Sequence, residues 1–205
     1  MRSLFRGAVL SLAALSLAGT TPSWAANPIF NFSFDTTKGG GAVSSVVADS
    51  QGALYGTTYE GGANGRGVVF RLTPPPSGET TWTQTVLYSF CNQLNAQGCA
   101  DGGGPDGRVI FSKQPNGITA LFGTTSYGGS SNNGTIFRLL PKTANGKTTW
   151  SYTKLYEFNG SSNADGSYPR GSLIADSNGT LYGTTNGGGT GDCNNGCGTV
   201  FKMVP

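Results

Sequence analysis

The stretch from Tyr55 to Leu72 reads Tyr-Gly-Thr-Thr-Tyr-Glu-Gly-Gly-Ala-Asn-Gly-Arg-Gly-Val-Val-Phe-Arg-Leu, and residues 122–139 repeat its frame without a gap. A further copy runs from Tyr182 to Met203, with an insertion around Asp192 to Cys197. Each copy opens on Tyr/Phe-Gly-Thr-Thr and passes a glycine pair. Each ends on Gly-x-Val/Ile-Phe-Arg/Lys-Leu/Met, at Gly67 to Leu72, Gly134 to Leu139 and Gly198 to Met203. A phrase that returns at a period of roughly sixty residues marks a chain built by stacking one supersecondary unit.

The flanks repeat as well. Thr80-Thr81-Trp82 through Phe90 matches Thr148-Thr149-Trp150 through Phe158. Trp82, Val86, Tyr88 and Phe90 share one face, as do Trp150, Tyr152, Tyr156 and Phe158, which is the two-residue period of a strand. Phe30, Phe32 and Phe34 repeat the end of this element, read without a leading Trp. A Gly/Asp-rich link follows, from Asp101 to Gly107 and from Asp165 to Gly171. The next strand spans Val43 to Ala48, Arg108 to Ser112 and Ser172 to Ala175. Asp49 to Gly52, Lys113 to Gly117 and Asp176 to Gly179 then supply turn chemistry, since Asp and Asn tolerate left-handed geometry and Gly supplies positive φ. The Leu-Tyr-Gly-Thr-Thr phrase and the Gly-x-Val-Phe ending complete the unit. The prediction is an all-β, β-propeller-like chain of three four-stranded antiparallel blades, in units of about residues 28–73, 80–140 and 147–204. Gly56, Gly123 and Gly183 sit inside a strand, where glycine marks a close approach. The expected cover is an aromatic ring from a neighbouring blade, which would account for Trp82 and Trp150.

These residues carry a resemblance. Tyr-Gly-Thr-Thr-x-x-Gly-Gly followed by Gly-Thr-Val-Phe-Lys/Arg-Leu/Met resembles the GloVer tandem repeat, over roughly Phe30 to Val204. The resemblance implies a bacterial, exported, propeller-like repeat protein, and brings no established catalytic residues with it. Closed propellers take about four to eight blades, so three units stand as an open arc, as half of a six-bladed ring made by a homodimer, or as part of a longer gene. Open edges favour self-association.

Residues 1–25 read as a secretory leader: Arg2 and Arg6 precede the apolar run Gly7 to Ala18, and Ser23-Trp24-Ala25 sets small residues at the exit before Ala26. Two of the 13 basic residues lie in that leader, which leaves 11 against 10 acidic ones and no basic stripe for nucleic acid. No later run approaches the length of a membrane-spanning helix. The expected location is secreted, periplasmic or at the cell surface. Glycine is 34 of 205 residues, placed at repeat-locked turns. The four cysteines allow three pairings; Cys91 with Cys99 and Cys193 with Cys197 is favoured, because each pair brackets one Gly/Asn-rich loop. With no histidine in the chain, this spacing is poor for zinc.

The absence of histidine removes the usual general base near neutral pH and Ser-His or Cys-His nucleophiles. No cofactor or catalytic metal is implied. Asp101, Asp106 and Asp165 are the only local concentration of carboxylates, and Asp-Gly is a turn dipeptide first. Residues that vary inside a fixed frame are better candidates. Between Gly-Thr-Thr and the glycine pair the copies read Tyr59-Glu60, Ser126-Tyr127 and Asn186-Gly187. Tyr59, Glu60 and Tyr127 are therefore the expected ligand contacts, on strand-end loops. The functional expectation is a non-catalytic recognition or scaffolding protein whose partner is an extracellular glycan or protein. The alternative is a polysaccharide hydrolase or lyase working through the Asp101–Asp106 loop.

Overall fold

The computed structural model describes residues 28–32, 37–42, 44–160 and 165–205. The expected leader, together with Phe34 and Val43, lies outside the described residues. The strands are β1 (Val47–Ala48), β2 (Leu54–Thr58), β3 (Val68–Thr73), β4 (Thr83–Ser89), β5 (Leu94–Asn95), β6 (Gly98–Cys99) and β7 (Ile110–Lys113). They continue as β8 (Thr119–Thr125), β9 (Thr135–Ala144), β10 (Lys147–Glu157), β11 (Ile174–Ala175), β12 (Leu181–Thr185) and β13 (Thr199–Met203). Every pairing between these strands is antiparallel. The chain is all-β, with no helix among the described residues.

Three meanders carry the fold: β1-β2-β3-β4, β7-β8-β9-β10 and β11-β12-β13, with β5-β6 as a small ribbon. The third sheet has three strands among the described residues, where four were expected. The sheets are also offset by one strand from the sequence repeat. The aromatic strands β4 and β10 lie on the outer edges of the first and second sheets, bonded to β3 and β9. Connection length explains this. β9 and β10 are joined by Asn145-Gly146, both at positive φ, the two-residue turn that suits a hairpin. The path from Phe90 to Ile110 is long enough to cross to a new sheet instead.

The strand glycines face a ring, but not the expected one. Gly56 pairs with Phe70, Gly123 with Phe137 and Gly183 with Phe201, each across β2-β3, β8-β9 or β12-β13. A Cβ on Gly56, Gly123 or Gly183 would stand 2.7, 2.6 or 2.5 Å from the Cζ of that phenylalanine. The Cζ end of the ring occupies the space above its own sheet's bare backbone. Trp82 and Trp150 serve elsewhere, half-buried against Val68, Phe70 and Leu72 and against the core that includes Tyr55, respectively.

The same rings join sheet to sheet. Phe90, just beyond β4, meets Phe137 edge-on at 5.1 Å, and Phe158, just beyond β10, meets Phe201 at 5.2 Å. Phe32 meets Phe70 in the same way at 5.0 Å. The Phe30–Phe32 pair repeats the edge-on geometry of Tyr88–Phe90 and Tyr156–Phe158, so Phe32, not Phe34, is the equivalent of Phe90. One core joins Ala53, Tyr55 and Val69 to Leu121, Phe137 and Leu139. Another joins Ile110, Phe122 and Ile136 to Leu173 and Leu181. The sheets thus pack face to face in chain order. At one end of the stack Thr57 Oγ1 donates to the Gly107 carbonyl at 3.1 Å, and Thr124 Oγ1 to that of Gly171 at 3.3 Å. The first Thr of the first two phrases ties its sheet to the next.

Gly123→Val should therefore cost about 3 kcal/mol, since Phe137 has no room to retreat in a core already joined to Phe90. Denaturant midpoints of the variant and the parent measure this, and a loss below about 1 kcal/mol would mean the ring is not held against the backbone.

Candidate functional site

The loops after the Gly-Thr-Thr strands share one frame. The second Thr reaches over the loop: Thr58 Oγ1 donates to the Glu60 carbonyl, Thr125 to Tyr127 and Thr185 to Gly187, at 2.8 to 2.9 Å. Gly67, Gly134 and Gly198 close the far side by donating to the carbonyls of Gly61, Gly128 and Gly188. The Gly-rich links return alongside, bridging Gly40 to Glu60, Gly103 to Tyr127 and Ser167 to Gly187. Backbone demands are thus met by repeat-invariant residues, and the remaining side chains are released for other use.

Two of the three expected contacts come together. Tyr59 Oη donates to Tyr127 Oη at 2.7 Å, with ring centroids 6.2 Å apart. Tyr168 continues the row, edge-on to Tyr127 at 6.3 Å. Glu60 stands apart: its backbone bonds Gly40 and its side chain is exposed. Gly104 makes room for the first two rings, because a Cβ there would sit 2.8 Å from Tyr59 and 3.0 Å from Tyr127. Tyr168 occupies the repeat position of Gly41 and Gly104 and keeps their left-handed backbone, with φ of 55°. A bulky residue in that conformation is strained by about 1 to 2 kcal/mol. Such strain is found where a side chain is needed. Sequence reasoning missed Tyr168, although a tyrosine in a glycine slot of the repeat was the available signal.

Tyr127 divides two clefts. One, of about 270 Å³, is lined by Arg66, Gln97, Cys99, Gly103 and Asn132. The other, of about 290 Å³, is lined by Tyr168, Arg170, Asn186, Asn194 and Asn195. Each cleft borders a disulfide loop. Cys91–Cys99 and Cys193–Cys197 are both formed, as expected. Asp106 lies behind the rings, accepting from Ser126 Oγ at 2.6 Å with Arg170 Nε 3.8 Å away. Burial and the bond to Tyr127 push the Tyr59 phenol up to about 12. Trp150 lines a separate groove of about 570 Å³ with Tyr55, Arg71 and Asp49.

The other loop carboxylates hold strand ends. Asp101 is buried and accepts from Tyr88 Oη at 2.5 Å and from the amides of Asn92 and Gln93. Asp165 does the same for Tyr156 Oη at 2.7 Å and the Asn159 amide. Asp49 and Asp176 cap their turns and accept from Tyr55 and Tyr182 at 3.1 Å. In the middle unit the turn carries Gln114 and the strand carries Phe122, so acid and phenol are lost together.

The family model described as the Gloeobacter/Verrucomicrobia repeat matches residues 18–205. No curated protein and no solved structure matches the chain.

Asp101→Ala should cost about 3 kcal/mol, because it strands a phenol and two amides in a buried site. Asp165→Ala, in a less buried copy of the same arrangement, should cost about 1 kcal/mol, and thermal unfolding of the two variants checks the order. Alkali gives an independent test. The fold holds Tyr55 and Tyr59 neutral, with values raised from 10.0 to about 12. That stabilisation is complete below pH 10 and is lost as pH rises from 10 through 12. Phenolate absorbance of the native protein should lag that of the urea-unfolded chain, and coinciding curves would contradict it.

Proposed function

We propose that this chain, which belongs to the Gloeobacter/Verrucomicrobia repeat family, is an exported protein that binds an extracellular glycan at the tyrosine row. The observation that carries the reading is Tyr127 set between two clefts, each walled by side-chain amides and an arginine and bordered by a disulfide loop. Sugars present an apolar ring face and pairs of hydroxyls. Half-buried phenol rings offer the first a platform, and Asn and Arg offer the second paired donors and acceptors. The disulfides fit an oxidising compartment, and among the described residues no helix is long and apolar enough to cross a membrane. Face-to-face packing of meander sheets in chain order is how propeller blades follow one another, and we take the chain as an arc of such a propeller. Its role is recognition or scaffolding rather than turnover. A hydrolase working through the Asp101–Asp106 loop draws no support from the geometry, since Asp101 is spent on a strand end and Asp106 accepts from Ser126 Oγ with Arg170 beside it.

Calorimetric titration of the purified protein with a panel of neutral and acidic oligosaccharides tests this. At least one should bind, and Tyr127→Ala should weaken it about tenfold, the value of one stacked ring. Tyr168→Gly should weaken binding as well while leaving stability within about 1 kcal/mol, because relief of backbone strain offsets the lost ring contact. Glu60→Ala should change nothing. Binding that survives Tyr127→Ala would remove the proposed site.

A further inference from the structure

Among the described residues, the two ends of the stack carry exposed apolar side chains at positions that are buried wherever one sheet meets another. Val69, Ile136 and Val200 share one repeat position and face the following sheet; they are 0%, 1% and 82% exposed. Ile110 and Ile174 share another such position, at 8% and 65%. The opposite face tells the reverse story. Val46, Val109 and Leu173 each lean over a strand glycine and face the preceding sheet. Val109 and Leu173 are fully buried, whereas Val46 is 42% exposed. Among the described residues no sheet precedes the first or follows the third.

The strands tell the same story. β3 and β9 each carry an aromatic outer strand, and β13 has none among the described residues. A groove of about 350 Å³ runs beside it, lined by Ile136, Tyr156, Phe158, Phe201 and Met203. Pro28–Phe32 is the converse, the end of an aromatic strand without a sheet. Its Phe30–Phe32 pair has the geometry of Tyr88–Phe90, and its backbone makes no hydrogen bond among the described residues. In sequence the match reaches Trp24, eight residues before Phe32, as Trp82 stands before Phe90 and Trp150 before Phe158. Trp24 stands on the leader side of the expected exit at Ala25, and Pro28–Phe32 lies beyond it.

We propose that two copies of this chain join head to tail. Each lays Pro28–Phe32 along the outer edge of the other's β13 and covers the Ile174–Val200 face with its own exposed Val46 face. The existing contacts supply the pattern: Phe90 and Phe158 donate their amides to the Gly67 and Gly134 carbonyls at 3.0 Å. Phe32 makes the equivalent bond to Gly198 of the second copy. Two such contacts close a pair, and six sheets fall in the range of about four to eight that forms a ring. The three described sheets fall below that range. Strand addition of this kind satisfies an open edge and buries apolar surface together.

Sedimentation velocity of the exported full chain at micromolar concentration should show a dimer. Val200→Lys and, separately, Val46→Lys should each weaken it by at least about a hundredfold, since a lysine would be buried without a partner. Both side chains are exposed in the single copy, so near-ultraviolet circular dichroism should be unchanged in each variant. Mixing the two variants should restore a dimer, because one of its two contacts then has native residues on both sides. A wild-type monomer, a dimer untouched by either substitution, or a mixture that stays monomeric overturns the head-to-tail contact. A ladder of larger species overturns the closed pair.

Discussion

A phenyl ring laid on bare backbone organises this molecule. Phe70, Phe137 and Phe201 each cover a glycine on the neighbouring strand, and only the missing Cβ lets the ring lie that close. The same ring also meets, in T-shaped contact, the aromatic that precedes its sheet, Phe32, Phe90 or Phe158. One side chain therefore sets both the register within a sheet and the stacking between sheets. Edge-on pairs at about 5 Å gain from the opposed charge of ring face and ring edge, beyond the area they bury. The chain repeats this lock instead of building one large core, so each sheet depends on its neighbours.

The repeat divides labour between backbone and tip. The second Thr of each phrase, the glycine pair and the carboxylates Asp101 and Asp165 hold loop and strand ends in place. With those demands met internally, the loop side chains carry no structural burden, and that end of the stack gathers three tyrosines, two clefts and both disulfide loops. Tyr168 departs from the frame, a bulky residue kept in a backbone conformation that its counterparts Gly41 and Gly104 meet with glycine. Strain at a cleft is tolerated because the surrounding hydrogen bonds, Tyr168 N–H to Asn133 and Asn186 N–H to Tyr168, leave the chain no other path. Alkaline titration of the buried phenols belongs to the same design, since neutral tyrosine is what these packed sites accept.

Much of this was legible in residue order. Alternation along Trp82–Phe90 and Trp150–Phe158 marks strands, Asp/Asn-Gly marks turns, and the spacing of the cysteines marks two local loops. Tyr59 and Tyr127 stood out because they vary inside an invariant frame, and they do meet. Glu60, chosen by the same logic, does not join them, because alternate residues of a strand end leave on opposite sides. Which sheet an outer strand joins was not legible, since that depends on turn length and twist. Nor was the partner of each strand glycine. A nearby Trp in sequence was a worse guide than the Phe directly across the ladder.

By its residues alone this chain determined that it would be all-β, repetitive, turn-rich and paired through local disulfides. Each of those follows from periodicities and short-range bonds that a few neighbouring residues decide among themselves. Tertiary structure alone decided which rings touch, which carboxylates are spent on strand ends, and that Tyr168 joins a row begun by Tyr59 in the first unit. It also decided that Val200 is exposed where Val69 and Ile136 are buried, because burial at one repeat position depends on whether another sheet packs against it. Identical sequence in different surroundings cannot carry that information. The physical reason is that a side chain specifies its own shape and chemistry, whereas its exposure belongs to whatever packs against it.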